Sequence, residues 1–143
     1  MGNTMDKSEL IGGVWDFDIN KYPEKEYTFT ADCGYECIIR RNMQWAYCGY
    51  VQLPGDHPYY DKHYDDIDDI YVHGDLTYST DGLFGFDCSH ILEGDISPLD
   101  ETMRAKYPDM FRSLHNGTTP HYWTFEEVKK ETENMAKQFF NKK

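Results

Sequence analysis

The sequence predicts an α+β fold, an antiparallel sheet of hairpins covered on one face by C-terminal helices. Three observations predict it. Short β-rich, alternating segments broken by turn residues fill residues 27–90. Helix caps and helical apolar spacing are confined to residues 97–141. Strands then helices, without βαβ alternation, is the order of an α+β domain. The 143 residues suit one domain with a modest core, an irregular N-terminus over about 1–26, and no internal repeat or low-complexity tract.

The elements follow in chain order. "GGVWDFDINKYPEKE" reads as irregular, or as one short strand. "YTFTA" alternates as a strand. "ECIIRR" and "QWAYCGYVQL" flank Asn42-Met43, a hairpin turn, and Leu53-Pro54-Gly55 ends the second of them. "DHPYYDKHYDDIDD" is then an exposed acidic loop. It has the ingredients of a calcium loop without the D-x-D-x-D-G order.

"VHGDLTYSTDGLFGFDCSH" forms the next hairpin, with Thr80-Asp81-Gly82 as a three-residue turn. That register pairs Tyr78 with Phe84, Leu76 with Phe86 and Gly74 with Cys88 on the helix-facing side. The opposite face then carries His73, Asp75, Thr77, Gly85, Asp87 and Ser89, with Asp75 directly across from Asp87.

Helix signals follow. Ser97 caps, Pro98 takes the first helical position and Asp100 completes a capping box. "PDMFRSL" predicts a second short helix. The last helix starts at Thr124, with Glu127 closing its capping box and Trp123 placed to staple onto Val128. Its stripe of Phe125, Val128, Thr132, Met135 and Phe139 at helical spacing is core packing.

Composition narrows the function classes. The net charge is −12, which opposes direct binding to nucleic-acid phosphates. It suits cations or a basic protein surface. Nothing in the chain is long or apolar enough to span a membrane. "MGNTMDKSEL" is polar, without a signal segment, and a cytoplasmic setting with reduced thiols is expected. Cys33 and Cys37 are close in sequence, but Cys48 and Cys88 form no second pair of the kind zinc knots use. In that setting the sequon Asn116-Gly117-Thr118 accepts no glycan.

The chemistry-bearing residues concentrate around the second hairpin. Opposed carboxylates need a cation, a basic group, solvent or a shared proton. His73 lies one pair along. His90 swings beside Asp87 if the chain turns after the strand, with Asp95 just beyond. His73, Asp87, His90 and Asp95 therefore make a candidate set for a divalent metal such as zinc, which would activate water. Without metal, His73, Asp87 and His90 can act as acid–base groups. Thr77, Asp95 and Tyr78 would line a ligand, with Tyr64 a second ring for stacking. The competing reading has His73 and Asp87 merely bonding loops at the hairpin ends. No HExxH, GxSxG, P-loop or dinucleotide fingerprint narrows the reaction.

The blocks "WAYCGYVQLPGDHPYY", "VHGDLTYS", "GFDCSHILEGD" and "YWTFEEVKKETENMAKQF" resemble a small uncharacterised family of bacteriophage and prophage proteins. Its motifs are of the types C-G-Y-V, H-G-G-x-T-Y and G-F-D-C-x-H followed by Asp. They map here onto His73, Gly74, Thr77, Asp87, Cys88, His90 and Asp95, and the sequence departs from them at Asp75, where the pattern has glycine. The resemblance implies a phage accessory protein in the bacterial host cell, of the kind that antagonises host defence. Two readings follow. In one, the His/Asp site binds or hydrolyses a small ligand. In the other, an acidic surface centred on Asp65, Asp66, Asp68 and Asp69 mimics nucleic acid and blocks a host nucleic-acid-binding protein, as anti-CRISPR proteins do.

Overall fold

In a computed structural model, residues 13–90, 94–107 and 121–143 are described. The expected helix over "PDMFRSL" and the sequon at Asn116 fall outside them. Three helices and five strands are seen: α1 (Val14–Lys21), β1 (Glu26–Thr30), β2 (Glu36–Arg41), β3 (Tyr47–Gln52), β4 (Tyr78–Thr80), β5 (Leu83–Asp87), α2 (Pro98–Lys106) and α3 (Phe125–Phe140). The strands form one antiparallel sheet in the order β1-β2-β3-β5-β4. The α+β architecture is as the sequence predicts, with α3 packed on β2 and β3.

The inner face is set by alternation along the strands. Cys37, Ile39 and Arg41 of β2 pair with Val51, Gly49 and Tyr47 of β3, and Val51 and Gly49 pair in turn with Phe84 and Phe86 of β5. α3 turns Phe125, Val128, Thr132, Met135, Ala136 and Phe139 onto this face, and all are buried. The helix comes close because position 49 has no side chain. A Cβ there would lie 2.2 Å from Thr132 Oγ1 and 2.7 Å from the Phe86 ring. Both helix starts carry the N-cap residues expected, but only the second shows the reciprocal box; the expected return from the Asp100 side chain is not seen. Thr124 and Glu127 close a reciprocal box, and Ser97 Oγ accepts from the Asp100 N–H.

Two expectations are corrected and a third is refined. First, the N-terminal stretch is helical. Trp15, Asp18 and Ile19 share one buried face of α1. Asp18 hides the periodicity, because it is a charge at a core position. It accepts from Tyr122 Oη at 2.5 Å, from Arg41 Nη2 at 3.3 Å and from the Phe125 N–H at 3.2 Å.

Second, the second hairpin turns on two residues, Asp81-Gly82, both with positive φ (49° and 79°). Such a turn matches the twist of the paired strands. Tyr78 therefore pairs with Gly85, and Ser79 with Phe84. The one-residue change flips β4. Tyr78 points to the outer face, where its ring meets Tyr50 edge-on at 5.6 Å. Asp75 never opposes Asp87. Asp87 pairs with Cys48 of β3, and Asp75 is exposed in a turn at φ 64°.

Third, the acidic loop is largely exposed, as expected, but it is anchored near its start and just beyond its end. His57 is buried, with its Nε2 2.6 Å from the Phe139 carbonyl and its Nδ1 accepting from the Tyr59 N–H. Gln138 of α3 bonds both the N–H and the carbonyl of Tyr71.

The cysteines are all free thiols. Cys37, Cys48 and Cys88 are buried and Cys33 is half-exposed. Burial pushes the Cys37 thiol up to about 12 and Cys48 to about 11, and raises Cys88 further. Only the thiolate reacts. At pH 8 a disulfide reagent is expected to titrate one thiol rapidly in the native protein and four in denaturant. A second fast thiol, lost with Cys48→Ser, would show that the outer sheet face opens.

Candidate functional site

The site is built by one segment that precedes β4, one that follows β5 and a bridge to the residues before α3. The first is a turn from Val72 to Asp75, closed by the Asp75 N–H on the Val72 carbonyl. It presents His73. Gly74 (φ 66°) brings the backbone against the His90 ring, where a Cβ would meet His90 Nε2 at 2.3 Å. Asp75 is also left-handed, a conformation aspartate tolerates and glycine adopts freely.

The second segment leaves β5, where Ser89 and His90 turn away from the strand. The third is a short parallel bridge between Asp95 and His121, in which Ile96 N–H bonds the His121 carbonyl and His121 N–H bonds the Gly94 carbonyl. The bridge places Asp95, 2% exposed, beneath both histidines.

The polar contacts are pairwise. His73 Nε2 lies 2.9 and 2.8 Å from the two Asp95 carboxylate oxygens. Asp95 Oδ2 also accepts the His90 N–H at 2.9 Å, and the Asp95 N–H returns to the His90 carbonyl. His90 Nε2 lies 2.8 Å from Asp87 Oδ1. The two imidazoles meet at 5.8 Å between centroids, 77° apart. Both are partly open to solvent, their side chains being 19% and 22% exposed.

The expectation that His90 swings beside Asp87 therefore holds, and Asp95 joins through His73. The expectation of one metal-binding set is corrected. The four residues are engaged as His73–Asp95 and His90–Asp87. Among the described residues no group of three or more His, Cys, Asp or Glu side chains is placed to hold a metal ion. Each carboxylate is turned to an imidazole, not with it toward a common point.

Thr77 and Tyr78 lie elsewhere. Thr77 extends the β4–β5 ladder through its N–H to the Gly85 carbonyl, and Tyr78 sits on the outer sheet face. Tyr64, the other ring considered for stacking, is half-buried against the core and lies 4.4 Å from the His63 ring.

Two contributors were not foreseen. Trp123, expected as a helix staple, lays its ring on His73 at 4.4 Å between centroids. Glu131, on a face of α3 read as solvated, accepts the His73 N–H at 2.7 Å. The only sequence signal for Trp123 was its place beside the cap. Glu131 carried none, since one glutamate on a charged helix face looks like the next.

In the acidic loop, Asp65, Asp66 and Asp68 are exposed, the first two on a 3₁₀ turn over Tyr64–Asp66. Asp69 differs. It accepts from Tyr59 Oη at 2.7 Å and lies 3.2 Å from Lys142 Nζ. The Tyr59 hydroxyl first, and Lys142 with it, hold its carboxyl below the ordinary range. Asp69 is thus already partnered within the chain.

The described residues contain no helix long and apolar enough to cross a membrane. No family model, curated protein or solved structure matches the chain.

Proposed function

We propose that this chain is a phage-type accessory protein, a host-defence antagonist, that binds or hydrolyses a small ligand at the His73–His90 pair. The observation that carries the reading is the pairing itself. Two partly exposed imidazoles stand 5.8 Å apart, each held by its own carboxylate. An ionised carboxylate only accepts, so Asp95 fixes His73 Nε2 as a donor and assigns proton exchange to the other ring nitrogen. Two histidines so oriented can divide one reaction between them, one taking a proton from water and the other giving one to a leaving group. The phage setting rests on the motif resemblance alone.

The test is turnover of a panel of small esters, amides and phosphodiesters by the purified protein. His73→Ala and His90→Ala are each expected to lower kcat at least about 100-fold, the usual contribution of a positioned acid or base, with the circular dichroism spectrum unchanged. Full turnover in both variants would overturn the reading.

The exposure of Asp65, Asp66 and Asp68 favours a second reading, the acidic decoy for a host nucleic-acid-binding protein. Reversing those three charges to lysine is expected to abolish capture of such a partner, and raising salt from 50 to 300 mM to weaken it steeply. Unchanged affinity after reversal would remove this reading.

A further inference from the structure

A groove beside the histidines narrows the ligand chemistry. Glu127, Lys130, Glu131 and Asn134 recur at helical spacing on one side of α3, and with Trp123 they line a cavity of 430 Å³. Trp123 connects this groove to the reactive pair, because its ring lies 4.4 Å from His73. Glu131 is a second link through the His73 N–H. We propose that the groove binds the ammonium or guanidinium head of a small cationic ligand, whose far end then reaches His73 and His90. This rests on the reading of the histidine pair as the reactive site and names its substrate class.

Three features point to a cation. Trp123 lays one side of its ring on His73 and also lines the groove, and indole is the best aromatic partner for a cation. Among the described residues, two carboxylates stand against one ammonium in the lining. Glu127 already serves the Thr124 cap and His121, and Glu131 serves His73 and Asn134. A carboxylate has about four lone-pair sites, more than these contacts use. The charged groups beyond the groove are Asp87 and Asp95 around the histidines, with His121 at 5.9 Å from the Trp123 ring. Among the described lining residues, an anionic ligand would meet two carboxylates, opposed by Lys130 alone. The net charge of −12 also draws cations toward the surface.

The test is calorimetric titration of the full chain with arginine amide, and with citrulline amide as its uncharged isostere, at low ionic strength. Arginine amide is expected to bind saturably and citrulline amide about tenfold more weakly. Trp123→Leu and Glu131→Gln are each expected to weaken arginine amide about five- to tenfold, the scale of a desolvated cation–π or charge contact. Lys130→Gln is expected to tighten it. Trp123→Phe keeps a ring and serves if the leucine variant is unstable, with a smaller loss expected. Equal binding of the two amides, or binding unaffected in Trp123→Leu and Trp123→Phe, overturns the proposal. The two readings separate cleanly. Arginine amide bound by wild type and by His73→Ala, with no turnover of any substrate, upholds the groove and removes the acid–base reading. Turnover without arginine-amide binding removes the groove alone.

Discussion

Replacing Asp18 by alanine is expected to cost about 3–5 kcal/mol of folding stability, the range for removing one partner of a buried ion pair. Arg41 and Asp18 have side chains 1% and 7% exposed. The guanidinium bonds Tyr47 Oη at 2.7 Å, Tyr122 Oη at 3.0 Å and the Trp45 carbonyl, and it lies 3.9 Å from the Tyr47 ring centroid. Asp18 is the only carboxylate among these partners. Without it the positive charge stays buried, offset by hydroxyls and a carbonyl. Burial raises the Tyr47 and Tyr122 hydroxyls well above the ordinary range. They remain protonated at neutral pH and cannot supply the missing negative charge.

The same carboxylate receives the first N–H of α3, so its loss also loosens the helix that covers the sheet. Urea denaturation checks the figure. Arg41→Met in the Asp18→Ala background is expected to recover part of the loss, because an apolar pair of similar volume removes the orphaned charge. A cost below about 1 kcal/mol for Asp18→Ala would mean that water reaches Arg41 and that the clamp between α1, β2 and α3 is loose.

The second large effect is expected at Asp95. This carboxylate is buried, and both histidines depend on it, His73 through its ring and His90 through its N–H. Asp95→Ala removes two charge-assisted hydrogen bonds, each worth about 1.5–3 kcal/mol, and a loss of roughly 3 kcal/mol is expected once the site relaxes. Asp95→Asn is the sharper probe. It can still accept the His90 N–H but has one oxygen and no charge to hold His73. The melting temperature is expected to fall by only a few degrees, while the His73 imidazole resonances move to those of a different tautomer and turnover collapses. Unchanged resonances in Asp95→Asn would show that Trp123 and Glu131 orient His73 without it.

Parts of this fold were legible because their causes are local. The capping box of Thr124 and Glu127 spans one turn, and the α3 stripe repeats every third or fourth residue. The first hairpin was placed correctly at Asn42, but its turn runs on through Ala46 and not Met43, with Arg41 pairing with Tyr47 and the Asn42 side chain accepting the Gln44 and Ala46 N–H groups. The placement of His90 beside Asp87 was also within reach, because three residues and one bend separate them.

Elsewhere the cause lay far along the chain. α1 was missed because Asp18 occupies a core position, and only Arg41 and Tyr122, distant in sequence, make that position tolerable for a charge. Alternation in "ECIIRR" does put Arg41 on the same face as Cys37 and Ile39, a sign that it points inward. The second hairpin was placed one residue out. That error turned Tyr78 inward and set Asp75 against Asp87, since a strand has two faces and a shift of one exchanges them.

The sequence by itself determined the class of the fold, the two hairpin sites, the capped helices and the neighbourhood of the histidines, because turn residues, caps and periodicity act within a few residues. Only the tertiary structure decided which carboxylate holds which imidazole. His73 takes Asp95, 22 residues away, because the bridge to His121 carries that buried aspartate beneath it, and Trp123 closes on His73 from the start of α3. Contacts of that kind are selected by packing and desolvation across the whole domain, which no local stretch of residues encodes.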